Sequence, residues 1–352
     1  MNKKTKEKIA SMNDEQRAEY LKKRKKKNII VWSIVGVLLA VFALNIIILP
    51  LTGKINRVDD VTSYNGANKY ICFDDGLLLS AHRAGGDLEP EETMAAFKLC
   101  MSSAIDYKVD VLEFDLHLTK DNELVLLHDD TVNRTSNATE VFGSKKVKAR
   151  DKTLAELKTL NFGYNFKDAN GNYKYRNASD AELVDVRILT LDEVLTYLTT
   201  NYAGLHYIIE IKDGGDTGEQ AMDKLYEKMV QYNIVDSTIV GTFQDNVTRY
   251  IDKQYPDLTR SASIVEVLDF YYAFLYGNKN KEFKFNVLQI PMGLDAIFNF
   301  YSKAFISFAH SKEIAVQYWT INDADDVKTL QENGADCIMT DNPAMAYKAL
   351  HE

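Results

Sequence analysis

From Gly76 onward, short apolar runs alternate with longer amphipathic stretches, and the alternation continues to the end of the chain. A run of four to eight apolar residues followed by a helical period is the unit of a parallel sheet with crossover helices. Its repetition predicts an α/β fold, a closed TIM (β/α)8 barrel. The expected strands are Leu77–Arg83, Val111–Leu118, Glu123–His128, Tyr207–Lys212, Thr238–Phe243, Arg260–Val265, Val287–Pro291, Ala315–Asn322 and Cys337–Thr340. The expected helices are Thr93–Ser103, Thr153–Leu160, Leu191–Thr199, Gly218–Tyr232, Gln244–Gln254, Asp295–Ser311 and Ala324–Asn333, with Thr190 as the N-cap of the third. Nine strands are one too many for the barrel. Only Thr119-Lys120-Asp121-Asn122 separates the second from the third. That is too short for a crossover helix, so these two are expected to form an antiparallel hairpin excursion. The segment Glu140–Arg187 is longer than a barrel loop requires. Its polar middle, Phe166–Ala181, reads as an inserted loop over the site.

The first part of the chain has a different character. No charged residue occurs from Ile29 to Leu51, a stretch longer than the roughly 20 residues an α-helix needs to cross a bilayer. Lys22-Lys23-Arg24-Lys25-Lys26-Lys27 lies immediately before it. The positive-inside rule then predicts a cytoplasmic basic tail at residues 1–28, a transmembrane helix at 29–51, a linker at 52–75 and an extracellular domain at 76–352. The run is too long for a signal peptide, and no small-residue cleavage site follows it.

Charge is distributed unevenly. Residues 1–28 hold 11 Lys/Arg against 4 Asp/Glu, a surplus of seven positive charges in a chain whose net charge is -9. The remainder therefore carries sixteen net negative charges. So acidic a domain does not bind nucleic acid by general attraction, and it suits the collection of divalent cations. The three cysteines, Cys72, Cys100 and Cys337, form no CxxC pair and are odd in number, which points to small apolar core residues and away from a disulfide scaffold or zinc cage.

Polar residues at the C-terminal ends of barrel strands are the natural candidates for chemistry. In chain order these ends carry His82-Arg83, Glu113-Phe114-Asp115, His128-Asp129, Glu210-Ile211-Lys212, Trp319 to Asn322, and Thr340-Asp341. Glu113 and Asp115 are two apart and share one side of a strand, as do Glu210 and Lys212. Three carboxylates facing one another inside a barrel call for a cation, and Mg2+ or Ca2+ suits oxygen ligands. Two histidines beside such a site can act as general acid and base. Arg83 and Lys212 can hold a phosphate and stabilise its developing charge.

These motifs resemble a known family. HRAGGDLEPEET at 82–93, EFDLHLTKDNELVLLHDDTVNRT at 113–135, LTLDEVL at 189–195, EIK at 210–212, and QYWTIN with MTDNP near the end are similar to the glycerophosphodiester phosphodiesterases, across about residues 78–345. The resemblance implies a TIM barrel that hydrolyses glycerophosphodiesters to glycerol 3-phosphate and an alcohol. It implies a divalent metal on Glu113, Asp115 and Glu210, an acid/base pair in His82 and His128, phosphate contacts from Arg83 and Lys212, Trp319 lining the substrate pocket, and Glu91 close to the site. The chain departs from the usual pattern at Ala84 (commonly Gly), Glu92 (commonly Asn) and Leu189 (commonly Pro). The expected partner is a small-molecule or lipid-derived phosphodiester. Two alternatives use the same barrel: a phospholipase D-like hydrolase of lysophospholipids, and a non-catalytic surface binding protein.

Overall fold

The computed structural model describes residues 63–352, except 73–75, 103–105 and 295–297, together with Tyr20, Ser33 and Gly36. By internal contacts the chain forms two compact units, Met1–Arg57 with Leu275–Gly277, and Val58–Phe274 with Asn278–Glu352. The expected tail and transmembrane helix lie almost wholly outside the described residues. Among the described residues no helix is long and apolar enough to cross a membrane.

The second unit is a barrel. Its elements are β1 (Leu78–Ala81), α1 (Met94–Cys100), β2 (Val111–Leu118), β3 (Leu124–Leu126), α2 (Ala138–Phe142), α3 (Leu154–Leu157), α4 (Leu191–Asn201), β4 (His206–Ile211), α5 (Gly215–Gln231), β5 (Thr238–Gly241), α6 (Asp245–Gln254), α7 (Ile264–Leu275), β6 (Val287–Ile290), β7 (Gly293–Leu294), β8 (Phe298–Asn299), α8 (Lys303–His310), β9 (Ala315–Tyr318), α9 (Ala324–Asn333), β10 (Cys337–Thr340) and α10 (Pro343–His351). Seven parallel strands pair in the order β5-β4-β2-β1-β10-β9-β6. The expected hairpin is present: β3 runs antiparallel to β2, with Leu116 opposite Leu126.

The eighth strand position differs from expectation. Arg260–Val265 makes only two single-residue bridges, Val240 to Arg260 and Ser261 to Val287. These close the barrel between β5 and β6. The strand is cut short because a helix starts at Ile264: Ser263 Oγ accepts from Glu266 N–H (3.4 Å) and the Glu266 carboxylate accepts from Ser263 N–H (2.8 Å). That reciprocal Ser-x-x-Glu cap is a start signal legible in the sequence. A similar box on Thr190 and Glu193 opens α4 as expected. The expected helix Asp295–Ser311 shortens to α8, preceded by the β7–β8 hairpin and capped by Ser302.

The side-chain period of two sorts the barrel interior into layers. The lowest layer is apolar: Val111, Ile208, Ile239, Val287, Ala315 and Cys337 pack with Tyr70 and Ile71, which close the bottom. Residues 63–72 are therefore packed structure and not the free linker expected over 52–75; Asn68 bonds the Asn286 carbonyl and Cys72 N–H bonds Asp336. Two and four residues further up the same strands stand Glu113, Asp115, Glu210, Gln289 and Gln317. The apolar floor makes this upper polar layer tolerable, since it faces the open end.

Residues 127–188 also depart from a plain loop. Val132, Ala138, Val147, Ala149, Leu157, Leu160, Phe162 and Ile188 form a second small core with Val125 and Leu127. The polar stretch 166–181 rests on the first loop, with Lys174 and Tyr175 both on Glu89.

Close packing on the flank gives a clear test. A Cβ on Gly218 of α5 would meet the Asp213 carbonyl at 2.2 Å and Val247 Cγ2 at 2.6 Å. Gly218→Ala is expected to lower unfolding free energy by about 1–3 kcal/mol. An unchanged denaturant midpoint would show that α5 can shift freely.

Candidate active site

A pocket of about 80 Å3 opens at the C-terminal end of the barrel strands. Eight of the nine residues singled out from the sequence line it: His82, Arg83, Glu113, Asp115, His128, Glu210, Lys212 and Trp319. The ninth, Glu91, stands behind Arg83, whose Nη1 donates to Glu91 Oε1 at 3.3 Å. Gly241 keeps the floor open, because a Cβ there would lie 3.2 Å from Gln289 Oε1.

Each histidine is oriented in the same way. His82 Nδ1 lies 2.6 Å from Asp341 Oδ1, and Asn322 Nδ2 donates to the other Asp341 oxygen at 2.7 Å. His128 Nδ1 lies 2.8 Å from Asp129 Oδ1. A carboxylate on Nδ1 leaves Nε2 as the working nitrogen of both rings. Arg134 links these parts: it donates to Asp129 and, through two nitrogens, to Glu91. Asp129 and Asp341 appear in the sequence at strand ends, but their orienting role depends on contacts that spacing does not reveal.

Electrostatics separates the two rings. Burial would depress His82, but Glu113 and Asp341 outweigh it and hold the ring above its ordinary value. Burial prevails at His128 and holds it below, despite Asp115 and Asp129. Of the two rings, His82 is therefore the readier to hold a proton and His128 the readier to be without one.

The carboxylates are under strain from one another. Burial and then Asp115 push both Glu113 and Glu210 up to about 7. Asp115 moves the other way: burial opposes its charge, but Lys212, His128 and Arg83 prevail. Lys212 Nζ stands 3.0 Å from Glu210 and 3.3 Å from Asp115. Both Asp115 oxygens are buried and accept no hydrogen bond. Among the described residues no three side chains of metal-ligating type are drawn together tightly enough to enclose an ion. The excess negative charge and the unbonded Asp115 oxygens nevertheless fit a hard divalent cation entering beside Lys212.

Glu92 adds a fourth carboxylate, itself buried. It accepts a hydrogen bond from Asp115 N–H at 2.6 Å, on a backbone with φ 56°. Burial and then Asp115 push its carboxyl well above the usual range. The left-handed region is one that Asn tolerates better than Glu. The inserted stretch does not cover this pocket. Phe166 and Lys167 instead wall a neighbouring cavity of about 290 Å3 shared with Asp87, Glu91 and Arg134.

Comparison with known proteins follows the same outline. The sequence matches the profile of the Glycerophosphoryl diester phosphodiesterase family over residues 82–345. A putative glycerophosphodiester phosphodiesterase of Bacillus subtilis is 28% identical over 272 residues, 77% of this chain and 97% of the relative. A glycerophosphodiester phosphodiesterase of Caldanaerobacter subterraneus is 33% identical over 181 residues, 51% of this chain and 64% of the relative. Among solved structures, an Oleispira antarctica phosphodiesterase in complex with the product sn-glycerol-3-phosphate superposes with a TM-score of 0.59 at 21% identity, covering 79% of this chain and 98% of the other. A glycerophosphoryl diester phosphodiesterase domain from Mycobacterium tuberculosis gives 0.63 at 15% identity, covering 78% and 99%.

Proposed function

The chain belongs to the glycerophosphoryl diester phosphodiesterase family, and from that premise we propose that it hydrolyses glycerophosphodiesters to glycerol 3-phosphate and an alcohol with the help of a divalent metal, at the outer face of a membrane. The observation that carries the catalytic reading is the pair of carboxylate-oriented histidines around one pocket, together with Arg83 and Lys212. The guanidinium and ammonium groups hold the phosphoryl oxygens. His128, whose burial disfavours its charged form, accepts a proton from the attacking water through Nε2. His82, the ring whose surroundings favour the proton, donates through Nε2 to the departing alkoxide, so one P–O bond forms as another breaks. Glu113, Asp115 and Glu210 would hold the metal, Mg2+ or Ca2+, which when bound supplies Lewis-acid polarisation of a phosphoryl oxygen. Glu91 keeps Arg83 aimed at the pocket, and Trp319 forms one wall of it.

The membrane reading rests on sequence. The uncharged run Ile29–Leu51 and the Lys/Arg cluster before it support a single span with residues 1–28 in the cytoplasm and the barrel outside.

Full-length protein in detergent tests the enzymatic reading. Release of glycerol 3-phosphate from glycerophosphocholine should be abolished by a chelator, restored by added Mg2+ or Ca2+, and lost in Glu113→Ala. Chelator-resistant turnover would remove the metal from the mechanism. A second reading is favoured by one feature of the mouth, the exposed Phe243 packed 5.8 Å from the Trp319 ring, which could receive an acyl chain. Under that reading lysophosphatidylcholine yields choline in the same assay, and glycerophosphocholine is inert.

A further inference from the structure

Helix α7 carries an outer face that folding alone does not account for. Its inner side is fully used: Phe270 packs against Phe283, Phe285, Phe305 and Phe308. On the other side Ile264 is 55% exposed, Val265 60%, Leu268 42% and Tyr272 44%. The spacings of one, three and four residues put these side chains on one stripe. A helix lying on a barrel in water normally turns polar residues outward. Here the two acidic side chains of α7 are engaged elsewhere, Glu266 by the buried Arg260 and Asp269 by Lys281. The stripe thus presents apolar surface without unpaired negative charge.

The position of the stripe gives it a direction. Ile264 follows three residues after Ser261, which lines the catalytic pocket. The bridge from Val240 to Arg260 sets the end of β5 beside this segment. Phe243, three residues beyond Val240, is exposed and packs on Trp319 at the pocket mouth. Apolar side chains are therefore exposed both at the mouth, in Phe243, and on the flank along α7.

The chain itself indicates the occupant. Its uncharged run ends at Leu51, and Tyr64 already packs against the bottom of the barrel. Twelve residues reach at most about 40 Å when extended, so a bilayer spanned by that run lies within reach of the barrel flank. Exposed aliphatic residues with a Tyr on an otherwise neutralised helix match the chemistry of a head-group boundary. We propose that the outer face of α7 lies in the head-group layer of a phospholipid bilayer, with the pocket mouth turned toward lipid-derived substrate. This rests on the membrane reading above.

Full-length protein in phosphatidylglycerol–phosphatidylethanolamine vesicles provides the test. A fluorophore is attached at Leu268→Cys in a Cys72→Ser background, in which Cys100 and Cys337 are buried. Glu227→Cys, on the exposed side of α5, is the reference. Unchanged turnover of glycerophosphocholine shows that both variants fold. Acyl chains brominated near the head group should quench the label at 268 roughly threefold or more beyond the label at 227. Equal quenching in protein that stays with the vesicles through an alkaline wash would overturn the inference and leave the anchor intact. A label at 268 shielded from aqueous iodide but not quenched by lipid would mean that a protein surface covers α7, and would also overturn it. Protein that washes off the vesicles would overturn the membrane reading and this inference together.

Discussion

His82→Ala is expected to turn over glycerophosphocholine roughly a hundred-fold or more slowly than the parent. The substitution removes the group placed to protonate the departing alkoxide, while Arg83, Lys212 and the carboxylates remain. KM should change little, because the imidazole is needed chiefly as bonds to phosphorus change. A substrate with a p-nitrophenolate leaving group distinguishes this role from a structural one. That group departs without a proton, so the defect of His82→Ala should largely disappear, whereas the defect of His128→Ala should persist. Equal losses on both substrates would reverse or remove the assignment. Asp341→Asn should give a smaller loss, about tenfold to a hundredfold, because His82 remains but its Nδ1 loses the carboxylate 2.6 Å away.

Arg260→Met should produce the largest loss of stability. Arg260 is 1% exposed and stands where the barrel closes between β5 and β6. Its Nε donates to Asp252 at 2.7 Å and its terminal nitrogens donate to Glu266 at 2.9 and 2.8 Å. Met fills similar volume but leaves the partly buried Glu266 without a counter-charge and Asp252 with only the exposed Lys284 at 3.7 Å. Breaking a buried ion pair from one side costs about 3–5 kcal/mol. Some solvent reaches Asp252 and Glu266, which favours the lower end of that range. Denaturant unfolding should show the shift. A restoring second change, Glu266→Gln, should recover part of it by removing one stranded charge. A single variant with parental stability would mean that the ion pairs contribute nothing net.

Much of the fold was legible because barrel strands are fully buried and their helices are amphipathic. The eight residues of β2 are all buried, and its 113/115 carboxylates interrupt an apolar run at a spacing only a strand places on one side. The four-residue gap after Leu118 sufficed to identify the hairpin. The Thr190–Glu193 cap marked α4. Other elements were decided by competition between neighbours. Arg260–Val265 has strand composition, yet the Ser263–Glu266 cap starts a helix before the strand is complete. Residues 63–72 lack a period, yet Tyr70 and Ile71 are drawn into the barrel bottom because they bury apolar surface against its lowest layer. Phe166–Ala181 reads as an inserted loop over the site, but contacts to Glu89 fix it beside the pocket.

The sequence by itself determined the barrel class, the family and the residue types at the strand ends, since these follow from period, composition and local motif. Only the tertiary structure decided how those residues act on one another. Asp341 reaches His82 across 259 positions, and Arg134 joins Glu91 to Asp129 across 43 and 5 positions. Glu113 and Asp115 are two residues apart on one strand, yet burial and their different neighbours push their carboxyls in opposite directions. Charge interaction depends on distance and on excluded water. Neither quantity exists until the strands have closed.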